Sequence, residues 1–169
     1  MNKIYETIKN RRSIRKFTEK EITGNEIKQI LDAGRWAPSG KNNQPWRFLV
    51  LTKNDSQNNK IAECTKYDRI VQQAPLLIIV LLDKQNMYNE KRDYQAAGAC
   101  IQNMLLMVHA LGLGGVWLGE ILNKEEKVIQ ILNLDKSKYL LMAVLAIGRP
   151  AEKKVKDRKN LQELLLNNY

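Results

Sequence analysis

The sequence predicts one domain of mixed α and β structure, and three observations carry that prediction. Short apolar runs at 76–82 and 139–147 have the length and aliphatic content of buried strands. They alternate with stretches whose apolar residues recur at helical spacing, such as Ile27, Ile30 and Leu31. The 169 residues also match the size of a single hydrophobic core. Taken alone, alternation of this kind favours a doubly wound parallel sheet.

Residues 2–10 read as a short helix with Ile4, Tyr5 and Ile8 on one face, ending at the basic cluster Arg11-Arg12-Ser13-Ile14-Arg15-Lys16. Thr23 and Glu26 have capping-box spacing, so a helix runs from about residue 24 to 36, and Pro38 stops it. Between Pro38 and Pro45 stand Ser39, Gly40, Lys41, Asn42, Asn43 and Gln44, a loop rich in hydrogen-bonding groups. Residues 46–51 read as a strand, 55–65 as a helix, 76–82 as a buried strand and 89–111 as a long helix.

From Ala96 to Leu111 that helix is apolar almost all round, interrupted by Gln102, Asn103 and His109. A helix of this kind is buried on most sides. In a chain this small a second subunit is the simplest cover, with Gln102 and Asn103 a buried polar pair at the seam. Gly112, Gly114 and Gly115 then read as a helix C-cap turn feeding a short strand. A helix over 123–132, a strand over 139–147 and a basic tail running to Tyr169 complete the chain.

Lys and Arg number 28 against 18 Asp and Glu, for a formal net charge of +10. Such an excess suits an anionic ligand, a nucleic acid or an anionic membrane surface. The densest patches, 11–16 and 153–159, lie at opposite ends of the sequence, and brought together they would make one anion site. No helix-turn-helix, zinc or RNP-type signature supports nucleic acid. The two cysteines, Cys64 and Cys100, form no C-x-x-C pair, which argues against disulfide, zinc and iron–sulfur frameworks. His109 is the sole histidine and reads as a core residue, which leaves no histidine-based triad. Trp36 and Trp46 are likewise expected in the core. The longest apolar run, 74–82, is far below the roughly 20 residues of a membrane-spanning helix, and no signal-peptide core precedes it. The expectation is a soluble cytoplasmic protein that engages no nucleic acid and no membrane.

Guanidinium groups are planar, bidentate donors to phosphate, and a Ser hydroxyl or backbone N–H can complete the cradle, so residues 11–15 carry phosphate-binding chemistry. Taken in order, Arg11-Arg12-Ser13-Ile14-Arg15, Pro38-Ser39-Gly40-Lys41-Asn42-Asn43-Gln44-Pro45-Trp46, the glycine-rich stretch 112–119 and Ile147-Gly148-Arg149-Pro150 resemble the FMN-dependent nitroreductase family over nearly the whole chain. The glycines do not follow the dinucleotide fingerprint, which needs G-x-G-x-x-G between a strand and a helix. The resemblance implies an α+β fold with a central, largely antiparallel sheet flanked by helices, in an intertwined homodimer with FMN at the interface. That replaces the parallel sheet. Residues 1–169 would be one FMN-binding domain, with 149–169 a basic tail packing on the partner subunit or the FMN phosphate.

Carried over position by position, Arg11 and Ser13 resemble the residues that hold the phosphate and ribityl chain, with Arg12 nearby, and Arg15 the cation beside the flavin N1 and O2. Ser39, Asn42 and Gln44 resemble groups that reach the flavin of the other subunit, with Pro38 and Gly40 shaping their loop. Trp117, Leu118 and Gly119 resemble the wall behind the ring, with the Gly119 N–H a donor to N5. Lys156 and Arg158 resemble late basic residues that close on the phosphate. Cys64, Tyr67 and Asp68 are candidates for mid-chain flavin contacts. The implied activity is hydride transfer from NAD(P)H through FMN to a small-molecule acceptor, a nitroaromatic, quinone or flavin, in a ping-pong cycle without a strict acid or base. Little room exists between Leu82 and Asp93 for a pocket lid, so broad specificity is expected. The alternatives are a flavin-consuming or dehalogenating enzyme of the same fold, a flavin-storing protein, or a basic nucleic-acid-binding protein.

Overall fold

The computed structural model describes residues 2–167; Asn168 and Tyr169, the end of the expected tail, lie outside the described residues. Four strands, β1 (Trp46–Thr52), β2 (Leu76–Asp83), β3 (Gly114–Leu118) and β4 (Tyr139–Gly148), form a sheet in the order β1-β2-β4-β3. Every neighbouring pair is antiparallel. The sheet is therefore of the α+β kind and not doubly wound, as the family resemblance implies. A bulge between Val80 and Leu81 shifts the β2–β4 register by one residue.

The helices are α1 (Lys3–Asn10), α2 (Gly24–Arg35), α3 (Gln57–Ala62), α4 (Asp68–Gln73), α5 (Glu90–Ala110) and α6 (Glu125–Ile131). Thr23 and Glu26 form the expected capping box on α2, and Asn89 caps α5 by accepting from Arg92 N–H. Two expected helices are shorter than their sequence patterns. The pattern at 55–65 yields only α3, and α4 follows as a separate turn-length helix. The helix expected over 123–132 begins as a tight 3-10 turn, Glu120–Lys124, before α6.

Both faces of the sheet are covered, and side-chain alternation along the strands sorts the core into two layers. Leu77, Ile79, Leu81, Val144 and Ala146 pack against α3, α4 and α6; Leu76, Ile78, Val80, Leu145 and Ile147 pack against α2 and α5. Strand β2 is consequently buried on both sides, with Ile78 and Ile79 fully so. Each such aliphatic side chain contributes about 1.5–3 kcal/mol by leaving water. The basic segment runs beside the β3 edge: Ser13 bridges Gly115 in parallel, Ile14 N–H donates to Gly115 O at 3.1 Å, and Phe17 bridges Pro150. Here the C-cap reading of the glycines needs correction. Gly112 does turn the chain at φ +71°, but Gly114 and Gly115 belong to β3. A Cβ on Gly114 would lie 2.8 Å from Ile14, so glycine lets the basic segment close on the strand.

Candidate functional site

At the β3 edge the end of α1, the end of α5 and the tail enclose a cavity of about 350 Å³. Its titratable lining is Arg11, Arg12, His109, Glu152, Lys153 and Lys154, and Leu105, Val108 and Leu113 form an apolar wall. Arg11 is half-buried, and its pKa is lowered by burial, then by Arg158, then by Arg12. The ends of the sequence thus meet: a guanidinium from the tail lies close enough to Arg11 to repel it. Both Arg11 Nε and Arg12 Nε are buried without a hydrogen-bond partner. Arg12 also has a structural task, because its Nη1 donates to Lys9 O at 2.5 Å and Arg11 O at 2.9 Å, closing α1. Clustered cations with orphaned donors are a site set up for an anion.

The other predicted residues lie on the basic segment, along and just after β3, and in the tail. Arg15 is exposed; its N–H donates to Glu152 Oε1 at 2.8 Å, and its guanidinium makes only a 3.4 Å contact with Ser13 O. Trp117 is exposed on β3, whereas the Leu118 side chain is buried in the core, so only its backbone can border a ligand. Gly119 opens the turn after β3, and a Cβ there would meet nothing closer than Trp117 Nε1 at 3.8 Å. Lys156 is exposed in the tail.

The polar loop 38–45 lies at the opposite end of the sheet. It enters β1 where Trp46 pairs with Leu82, while Ser13 contacts the far end of β3 at Gly115. Within one chain the structure does not bring the two motifs together. The loop is tightly wound, with Lys41, Asn42 and Gln44 all at left-handed φ values of 45–54°. Non-glycine residues hold that conformation only where surroundings enforce it. Ser39 Oγ accepts from Gln44 N–H at 3.1 Å, and Gln44 Nε2 donates to Asn42 O at 3.1 Å. Gly40 packs directly under the Tyr88 ring, where any Cβ would collide with the phenol.

The anchor of this loop is Asp93, fully buried in the first turn of α5. It accepts from Asn43 Nδ2 at 2.8 Å and from the N–H groups of Tyr88 and Asn89 at 2.9 Å. Burial pushes its pKa up, but those hydrogen bonds outweigh burial and the net shift is downward. Asn43 Nδ2 also donates to Asn86 O at 2.9 Å, which fixes the amide's orientation. Sequence reasoning missed this clamp. Its only local signal was an acid within the first turn of a long apolar helix.

Several expectations need correction. Trp36 is not core: it stands 71% exposed at the C-cap of α2, with the Arg35 guanidinium 4.9 Å over its ring. Trp46 is buried as expected. His109 is half-buried at the cavity and not enclosed in the core; burial, then Arg11 and Arg12, lower its pKa. Cys64 is buried in the core beside α3 and its thiol pKa is raised by that burial, which removes it from the candidate contacts. Tyr67 and Asp68 remain at the surface, next to a turn in which Glu120 accepts from Thr65 Oγ1 at 2.7 Å and Lys66 N–H at 3.2 Å. Gln102 is exposed and Asn103 half-buried within the single chain. Between β2 and α5 stand only a 3-10 turn, Lys84–Asn86, and the short loop 87–89, so no lid is inserted there.

A helix-flanked antiparallel sheet with a cation-lined cavity at its edge defines a small α+β protein with a candidate anion site. Residues 8–149 match the model of the nitroreductase family, and the chain belongs to that family. A nitroreductase-type protein of Desulfovibrio desulfuricans, solved in complex with FMN, superposes with a TM-score of 0.98 at 46% identity, covering 100% of this chain and 98% of that one. A Methanothermobacter thermautotrophicus protein, provisionally named an NADH dehydrogenase/NAD(P)H nitroreductase, is 36% identical over 88% of this chain and 78% of its own length. The NADPH-flavin oxidoreductase of Vibrio harveyi is 30% identical over 89% of this chain and 67% of its own length. Among the described residues no helix is long and apolar enough to cross a membrane.

Proposed function

We propose that this protein is an FMN-dependent NAD(P)H oxidoreductase, folded as one domain over 1–169 and assembled as a homodimer. The observation that carries the reading is the pair Arg11 and Arg12, with buried unpartnered Nε atoms, at a cavity on a nitroreductase sheet, with Arg158 of the tail close enough to act on Arg11. The donor set fits a phosphate monoester, which carries about −1.5 to −2 charges near neutral pH and three strong acceptor oxygens. The FMN-bound relative and the flavin oxidoreductase relative support the choice of flavin.

When bound, FMN supplies two-electron chemistry, accepting hydride from NAD(P)H and passing reducing equivalents to a nitroaromatic, quinone or flavin acceptor. Arg11, Arg12, Lys156 and Arg158 would hold its phosphate, and Ser13 the adjoining polar chain. Arg15, with its guanidinium almost unengaged by the protein, would place positive charge where reduction builds negative charge. Trp117 and the backbone of Leu118 and Gly119 would form the wall beside the flat ring, and Gly119 leaves room for that approach. Ser39, Asn42 and Gln44, on the strained loop shaped by Pro38 and Gly40, would present polar groups to the flavin held by the partner subunit. The separation of the two motifs in one chain supports this sharing. So do the exposed apolar residues Ile4, Tyr5 and Ile8 on α1 and Leu161, Leu164 and Leu166 in the tail, which a second copy would cover. With no lid inserted before α5, acceptors of varied shape could enter.

The test is optical. Purified protein should be yellow, and its flavin absorbance should bleach when NADH or NADPH is added without oxygen. Colourless protein that takes up no added FMN would end the reading; yellow protein that neither nucleotide bleaches would remove the proposed donor.

A further inference from the structure

Among the described residues that line the cavity, His109 is the one side chain that can change charge near neutral pH. It sits in the last turn of α5. Asn10, Arg11 and Arg12 face the same cavity from the end of α1, and Glu152, Lys153 and Lys154 face it from the tail. Opposing influences act on the ring. The carbonyl end of α5 favours the imidazolium, while burial, then the guanidinium groups of Arg11 and Arg12, oppose it and prevail. Glu152, the one acid in the lining, is already engaged by Arg15 N–H at 2.8 Å and the Lys154 ammonium at 3.2 Å. In the protein alone these influences favour the neutral ring.

We propose that His109 is a phosphate-responsive member of this cavity: as the FMN phosphate enters among Arg11, Arg12 and Arg158, the imidazole takes a proton from solvent and pairs with it. The inference rests on the FMN reading above. A phosphate dianion reverses the sign of the local field, and an opposite charge within ~4–6 Å raises the affinity of an imidazole for its proton by about one unit or more. By linkage, the complex then binds more protons than the separated partners between the free and bound pKa values. FMN affinity accordingly rises as pH falls through that window.

Because the chain has a single histidine, one set of imidazole resonances reports it without assignment ambiguity. The full-length protein, freed of flavin, is titrated between pH 5 and 9 by proton–nitrogen correlation NMR, alone and with saturating FMN, riboflavin or inorganic phosphate. FMN should raise the imidazole pKa by about one unit or more, inorganic phosphate should raise it in the same direction, and riboflavin should leave it in place. In parallel, flavin fluorescence gives FMN affinity at pH 8 and pH 6. The gain on acidification should be about 3- to 10-fold larger in the wild type than in His109→Gln, which retains the phosphate's own titration. FMN that binds without moving the imidazole, or riboflavin that moves it equally, would overturn the proposal and leave the cofactor reading standing. Protein that binds no FMN at any pH overturns both.

Discussion

At Gly119 the chain leaves space that it does not use. The backbone is right-handed, with φ −85° and ψ −23°, and a methyl group there would meet only the edge of Trp117. Gly119→Ala should therefore shift Tm by about 2 °C or less yet weaken FMN by about tenfold or more, since only an approaching ligand needs the missing Cβ. Wild-type FMN affinity in that variant would show that the ring lies elsewhere. Arg15 makes a parallel case. Its exposed guanidinium holds the fold by a single long contact, so Arg15→Ala should leave urea unfolding unchanged while loosening FMN by about 1.5–3 kcal/mol, the worth of a hydrogen bond to a charged group. Potentiometric titration should also find the reduced flavin disfavoured, because a fixed positive charge near it has gone. The candidates at this scale were legible because Arg-Arg-Ser-x-Arg carries its chemistry in its residue types. His109 was not, since its spacing describes a core helix and only the approach of α1 and the tail turns it toward charge.

Among the elements, the loop 38–45 depends on α5 more than on its own sequence. Asp93 alone gathers Asn43, Tyr88 and Asn89, so Asp93→Ala should cost about 2–4 kcal/mol by leaving buried donors unmatched. The pH dependence has a definite sign. The folded carboxyl titrates below its ordinary value, so its contribution is complete above about pH 4 and disappears as pH falls through the folded pKa. Over that interval the unfolded chain binds the extra proton, and stability rises with pH. Urea unfolding between pH 2.5 and 6 should find that slope reduced in Asp93→Asn; an unaltered acid limb would mean that Asp93 is not its source. Elements governed by local rules were legible, as with the Thr23–Glu26 box and the cap at Asn89. The break between α3 and α4 was not. It is held by Glu120, which takes the Lys66 N–H from 54 positions away, and no window of sequence contains both groups. The left-handed run at Lys41, Asn42 and Gln44 was hidden for the same reason, because the groups that hold its neighbours, Tyr88 against Gly40 and Asp93 on Asn43, lie outside the loop.

For the whole molecule, the direction of the strands was the least legible feature. β2 is apolar at nearly every position because helices cover both faces of the sheet, and an unbroken apolar run is the usual mark of a parallel strand. Only the resemblance carried by the loop and cluster motifs corrected it. That correction matters for the site, because the antiparallel order places Ser13 and Gln44 at opposite ends of one sheet. If two copies share each flavin, defects in the two motifs should complement. Arg11→Ala and Gln44→Ala homodimers should each bind FMN poorly. Unfolded together and refolded at equal amounts, they should form roughly half mixed dimers, in each of which one site joins the intact cluster of one chain to the intact loop of the other. Its counterpart carries both defects. FMN titration should then recover roughly a quarter of the wild-type sites at wild-type affinity. If each flavin is held within one chain, every site in the mixture keeps one defect and no tight-binding fraction returns, even with sedimentation reporting dimers throughout.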